Sequence, residues 1–153
     1  LYRRFIKEWC RRHDVAEELK EPKLMHENGD FGHIFVMDDD KNEFLWFDLE
    51  MVYRSADHVH EFLWHEIIQY LWYILRKAPP HLEQMFLDEV VLHYPNKKRL
   101  REAPRVFLDH PRMLMRVGRK LDGYRKKQQK ATSKFNVARR LIERIDHFAK
   151  EGL

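Results

Sequence analysis

Cysteine is almost absent from the chain: Cys10 is its single thiol in 153 residues. One thiol rules out an internal disulfide and a cysteine-rich zinc site, and it fits a reducing, cytoplasmic compartment. Glycine and proline are also sparse, at five and six residues, too few for an all-β chain built on many tight turns. No apolar run approaches the ~20 residues that a membrane span requires. The longest, Ile67 to Leu75, is interrupted by Gln69. No secretory signal pattern is visible, and a start at Leu1 rather than Met leads to the expectation of further sequence upstream.

What is present points to one helical domain spanning 1–153. Hydrophobic residues make up 44% of the chain and charged residues 35%, which excludes a disordered tail or a fibrous repeat. Ten Phe, six Tyr and four Trp supply bulky side chains for a core that a chain of this length can bury. The expected fold class is mainly α with one small β-hairpin.

Charge is unevenly distributed. The segment Arg112 to Arg140 holds eleven Lys or Arg against one acid, Asp122, a balance of +10 that leaves −6 for the rest of a chain of net charge +4. A basic segment of this density suggests an anionic partner. Tyr124 and Phe135 are its only aromatics, a sparse set for base stacking. Phosphate or lipid headgroups on an anionic membrane surface are therefore favoured over nucleic acid.

Along the chain, the spacing of Phe5, Ile6, Trp9, Cys10, His13 and Ala16 predicts an amphipathic helix from Leu1 to about Lys20, ended by Pro22. Lys23 to Gly32 reads as a polar loop. Ile34 to Met37 and Glu43 to Phe47 read as two strands joined by the turn Asp38 to Asn42. His58 to Lys77 is apolar nearly all round, which predicts a buried central helix, with Trp64 and Trp72 as core residues. Further helices are expected at His81 to His93, Glu102 to Asp109, Pro111 to about Arg125, and Lys134 to Lys150, with a polar linker at Lys126 to Ser133.

The polar loop and hairpin carry the chemistry. Phosphoryl transfer needs a residue that positions or deprotonates the acceptor hydroxyl, and ligands that hold magnesium against nucleotide phosphates. The run Leu24-Met25-His26-Glu27-Asn28-Gly29-Asp30-Phe31-Gly32-His33-Ile34-Phe35-Val36 has the layout of a kinase catalytic loop, H-R-D-x-x-x-x-N, followed by an apolar strand. One hairpin later, Trp46-Phe47-Asp48-Leu49-Glu50 is similar to a D-F-G segment. Together these stretches resemble the C-lobe of the protein-kinase-like fold, and most of all the bacterial lipopolysaccharide (Kdo and heptose) kinases, over about His26 to Lys77.

That resemblance implies a phosphotransferase moving phosphate from ATP to the hydroxyl of a saccharide or lipid-linked acceptor, peripheral at the inner membrane. It implies Mg2+ and ATP as cofactors, with Asp48 as metal ligand and His33 assisting the metal or the phosphates. Asn28, or Asp30 in a remodelled loop, would orient the acceptor, and His26 would brace the loop. Asn28 stands where the family has its catalytic aspartate, and an amide cannot accept a proton as a base. No G-x-G-x-x-G occurs in the chain, so the nucleotide-clamping N-lobe is missing from it. The alternative is a pseudokinase or helical binding module that uses its basic face on anionic lipid, phosphosaccharide or nucleic acid. Separately, His58, Glu61 and His65 fall at i, i+3 and i+7, which suits either a helix-face metal site or an ordinary polar helix face.

Overall fold

A computed structural model describes residues 1–26, 29–37, 43–47, 56–110 and 133–152. Five helices and one hairpin make up these residues: α1 (Tyr2–Glu18), β1 (Ile34–Val36), β2 (Phe44–Trp46), α2 (Val59–Lys77), α3 (Glu83–His93), α4 (Lys97–Asp109) and α5 (Lys134–Lys150). The chain is thus mainly helical with one small antiparallel sheet. The expected helix at Pro111 to Arg125, most of the basic segment, and the turn Asp38 to Asn42 lie outside the described residues.

Helix α1 buries Phe5, Ile6, Trp9, Cys10, Arg12, His13 and Ala16 along one stripe, as helical periodicity requires. Its end is set by Lys20 rather than Pro22. Lys20 adopts a left-handed φ of 50°. The Glu21 N–H then donates to the Ala16 carbonyl at 2.9 Å and the Lys20 N–H to Glu17 at 3.3 Å, a Schellman closure that usually employs glycine. Pro22 follows where the chain has already turned.

Helix α2 is the hub. Ile67, Ile68, Tyr70, Leu71 and Leu75 are all buried, and the helix packs against α1, α3, α4 and α5. Trp64 and Trp72 sit at its partly buried margin, against the core rather than in it. Trp72 carries Arg76 and Lys134 against its ring, at 5.1 and 5.8 Å from the centroid.

Helix α4 starts five residues before the predicted Glu102. Asn96 caps it, its side chain accepting the Arg99 N–H at 3.0 Å. Pro104, whose ring removes one bond of the helical ladder, lies buried inside this helix. The basic run Lys97 to Arg101 hides the stripe Leu100, Ala103, Pro104 and Phe107, which fixes the helix by burial despite the lost hydrogen bond. Ser133 caps α5 through the Asn136 N–H, and Val137, Ala138, Leu141 and Ile145 face the core.

In the hairpin, Ile34 pairs with Trp46, Phe35 with Leu45 and Val36 with Phe44. Ile34, Phe44 and Trp46 pack on the core. Alternation turns Phe35 and Leu45 outward, where they are 57% and 48% exposed.

Candidate functional site

A charged residue on a helix buried nearly all round needs partners, because an uncompensated ion in the interior is costly. Glu66 of α2 is such a residue, fully buried. Its Oε1 accepts from Arg12 Nη2 at 2.7 Å and from the His26 backbone N–H at 2.6 Å. Its Oε2 accepts from His13 Nε2. Burial alone would raise the carboxyl, but the Arg12 charge and the His13 and His26 hydrogen bonds overcome it, holding Glu66 well below the usual carboxylate range.

The partners extend the network. Burial lowers His13 to about 4, assisted by the Arg12 and Arg99 charges and opposed by Glu66. A neutral His13 donates to Glu66 through Nε2, so its Nδ1 accepts the Tyr94 hydroxyl at 2.8 Å. Burial also pushes the Tyr94 phenol up, keeping it a donor. Arg99 of α4 donates to the Tyr94 oxygen at 3.3 Å and pairs with Asp14 at 2.8 Å and with Glu17. Arg12 reaches further still. It donates to the Leu24 carbonyl at 2.5 Å and lies 4.1 Å over the Trp46 ring, tying α1, α2, the loop and the hairpin to one guanidinium.

His26 joins the loop to the hairpin. Its Nε2–H donates to the Phe47 carbonyl at 2.7 Å, so Nδ1 accepts the Tyr70 hydroxyl at 2.9 Å. Burial pushes the Tyr70 phenol up, with the Glu66 charge adding to it, which keeps that hydroxyl protonated. The Phe47 N–H in turn donates to the His33 carbonyl at 3.2 Å. His26 and His33 stack with ring centroids 5.4 Å apart. The loop histidine His26, His33 just before β1, and the residue preceding Asp48 are therefore locked together.

Asp30 is at the rim. Its Oδ1 accepts the Gly32 N–H at 2.6 Å and lies 3.7 Å from His33 Nδ1, capping the short turn Phe31–His33. Oδ2 has no partner among the described residues. Asn28 and Asp48 lie outside the described residues. Gly29 is needed for a close approach: a Cβ there would fall 2.5 Å from the Tyr70 ring and 2.9 Å from His26 Cβ. Because that ring is buried and held by its hydroxyl, Gly29→Ala must push the loop off α2. A loss of about 1–3 kcal/mol is expected, read from urea unfolding, together with faster hydrogen exchange at the His26 amide.

The helix-face triad is not brought together. His58 lies against the Phe62 ring and His65 against Phe107, both at a tilt, while Glu61 lies 3.7 Å from His110. Among the described residues no group of three or more His, Cys, Asp or Glu is placed to hold a metal ion, and no helix is long and apolar enough to cross a membrane. At the described end of the basic segment, Arg140 is taken up by Glu83 at 2.6 Å.

Sequence spacing picked out His26, Asp30 and His33 but missed Glu66, Arg12, His13 as a polar partner, and Tyr70. Their signal was a carboxylate directly ahead of the apolar run of α2, facing an Arg-His pair on the buried side of α1. No family model matches the chain, and no curated protein or solved structure matches it.

Proposed function

We propose that the chain is the C-lobe of a phosphotransferase of lipopolysaccharide-kinase type, moving phosphate from ATP to a sugar hydroxyl at an anionic membrane face. The observation that carries this reading is the double tie at Phe47. Its carbonyl accepts from His26 at 2.7 Å and its N–H donates to His33 at 3.2 Å. A phosphotransferase works by positioning and electrostatics, and needs its loop and metal-binding strand fixed against one another. Here the tie falls one residue before Asp48, and Glu66 and Arg12 anchor it to the central helix.

The donor chemistry fits a magnesium ion that arrives with its nucleotide. Mg2+ keeps several waters and takes one or two carboxylates plus substrate phosphates rather than an all-protein cage. Asp48 would hold it, with His33 on the metal or the phosphates, and the bound ion would neutralise charge on the phosphates. Asn28 or the free oxygen of Asp30 would orient the acceptor hydroxyl. Asn28 favours a second reading, a pseudokinase or binding module using its 112–140 basic segment on anionic lipid, phosphosaccharide or nucleic acid.

Thermal unfolding of the longest natural chain with millimolar Mg-ATP tests the proposal. A ligand at about 100 times its Kd adds about 2.7 kcal/mol, which is a shift of about 5–10 °C for a chain of this size. Asp48→Ala should remove the shift without lowering the midpoint of the free protein, and phosphorus NMR should show a sugar phosphate forming. A shift without transfer would select the binding module. Neither shift nor transfer would overturn the phosphotransferase reading and leave the binding module, for which a steeply salt-dependent oligonucleotide affinity would select nucleic acid.

A further inference from the structure

Away from the loop and hairpin, the ends of α3, α4 and α5 enclose a groove of about 210 Å³. Val91, Leu100, Ile145 and Phe148 form its apolar walls, with Leu92 at the mouth. Leu92 is 41% exposed although it is a large aliphatic residue, so the groove opens to solvent. The size exceeds the ~150 Å³ of a dry cavity that takes benzene and falls short of the ~300 Å³ where drug-sized pockets begin. It suits a short alkyl chain.

The remaining lining residues are Lys97 and Arg101, and among the described residues no carboxylate lines the groove. Lys97 Nζ is engaged, donating to the Val91 and Leu92 carbonyls at 2.5 and 2.8 Å. It closes the end of α3 and shapes the wall. Burial, and then the Arg101 charge, lower its ammonium, a strain that a nearby anion would relieve. Arg101 is exposed, and its guanidinium has no hydrogen-bond or ion-pair partner among the described residues. The other arginines near this corner are paired: Arg144 with Asp88 at 2.5 Å, and Arg105 with Asp146 at 3.0 Å. An apolar trough ending at an unpaired guanidinium complements one kind of small molecule, a tail with a single anionic head.

We propose that this groove binds a free medium-chain alkanoate, its tail between Leu100, Ile145 and Phe148 and its carboxylate on Arg101. The site is independent of the proposed transferase chemistry and stands or falls separately from it.

Octanoate and octylammonium, identical in tail and opposite in head charge, are the probes for a heteronuclear NMR titration of the full chain. Octanoate should give saturable shifts confined to the ends of α3, α4 and α5, with a Kd on the order of 0.1–1 mM for a ligand of this size. Octylammonium should bind at least about tenfold more weakly, a difference of one decade in Kd. Arg101→Glu changes an exposed residue and leaves the fold intact. It should weaken octanoate by about tenfold or more and reverse the preference between the heads. Lys7→Glu, exposed on α1, should change nothing. No saturable shifts up to ~10 mM octanoate, equal binding of the two heads, indifference to Arg101→Glu, or shifts centred on Phe35 and Leu45 instead would each overturn the site.

Discussion

Glu66→Ala should lower the thermal midpoint of the protein by about 10 °C. Removing one partner of a buried, hydrogen-bonded ion pair costs about 3–5 kcal/mol, and for a chain of this length each kcal/mol moves the midpoint by about 2–4 °C. Glu66 is fully buried and takes three donors, from Arg12, His13 and the His26 backbone. Its loss leaves the Arg12 guanidinium 8% exposed in its side chain, with only the Leu24 carbonyl and the Trp46 face as company. Arg12 Nε already lacks a partner among the described residues, so the guanidinium has no spare bond there to fall back on. Glu66→Gln should cost distinctly less. Its amide can donate to His13 Nε2 if His13 shifts its proton to Nδ1 and Tyr94 turns its hydroxyl, so every group keeps a partner. The double variant Arg12→Ala with Glu66→Ala should cost less than the sum of the two singles, because the second removal discards a charge that no longer has a counterion. Strict additivity in that cycle would mean that the pair is not coupled.

The helices were largely legible because burial on one face leaves a period in the sequence. Phe5, Ile6, Trp9, Cys10, His13 and Ala16 predicted α1, and the near-continuous apolar run predicted the burial of α2. Where polar residues do structural work, the period blurs. The basic start of α4 hid its first turns, and Asn96 as a cap was the available cue. Pro104 argues for an interruption, yet burial of the stripe Leu100, Ala103, Pro104 and Phe107 outweighs one missing hydrogen bond.

The candidate site was half legible for a related reason. His26 and His33 were found because catalytic-loop chemistry spaces residues along the chain. Glu66 is 40 residues from His26 and 54 from Arg12, and no local spacing records such a pairing. His13 was counted on the apolar face of its helix, which is where it lies, but its imidazole is there to bridge Tyr94 and Glu66. Gly29 could not be singled out either, since its constraint is the Tyr70 ring across the interface rather than a backbone angle. Such residues become visible only when helices are packed.

The same network should make the protein acid-sensitive in a defined window. His13 is lowered from 6.5 to about 4 in the folded chain. Between those values the unfolded chain takes up a proton that the folded chain refuses, so stability falls as acid is added. The full shift corresponds to on the order of 3 kcal/mol, complete by about pH 4. Glu66 adds to this from below. Its folded pKa is depressed, so its contribution is present above the unfolded carboxylate value and is lost as pH falls beneath it. Both groups act in the same direction, and the protein should be at its most stable above pH 6.5. Urea midpoints of the wild type and of His13→Gln, measured from pH 8 to 4, isolate the imidazole. Gln presents the same edge without titrating, so the variant should be less stable at pH 8 and lose much less between pH 6.5 and 4. Parallel curves over that interval would show that His13 takes up its proton equally in both states, and that the buried bridge to Glu66 does not hold it neutral.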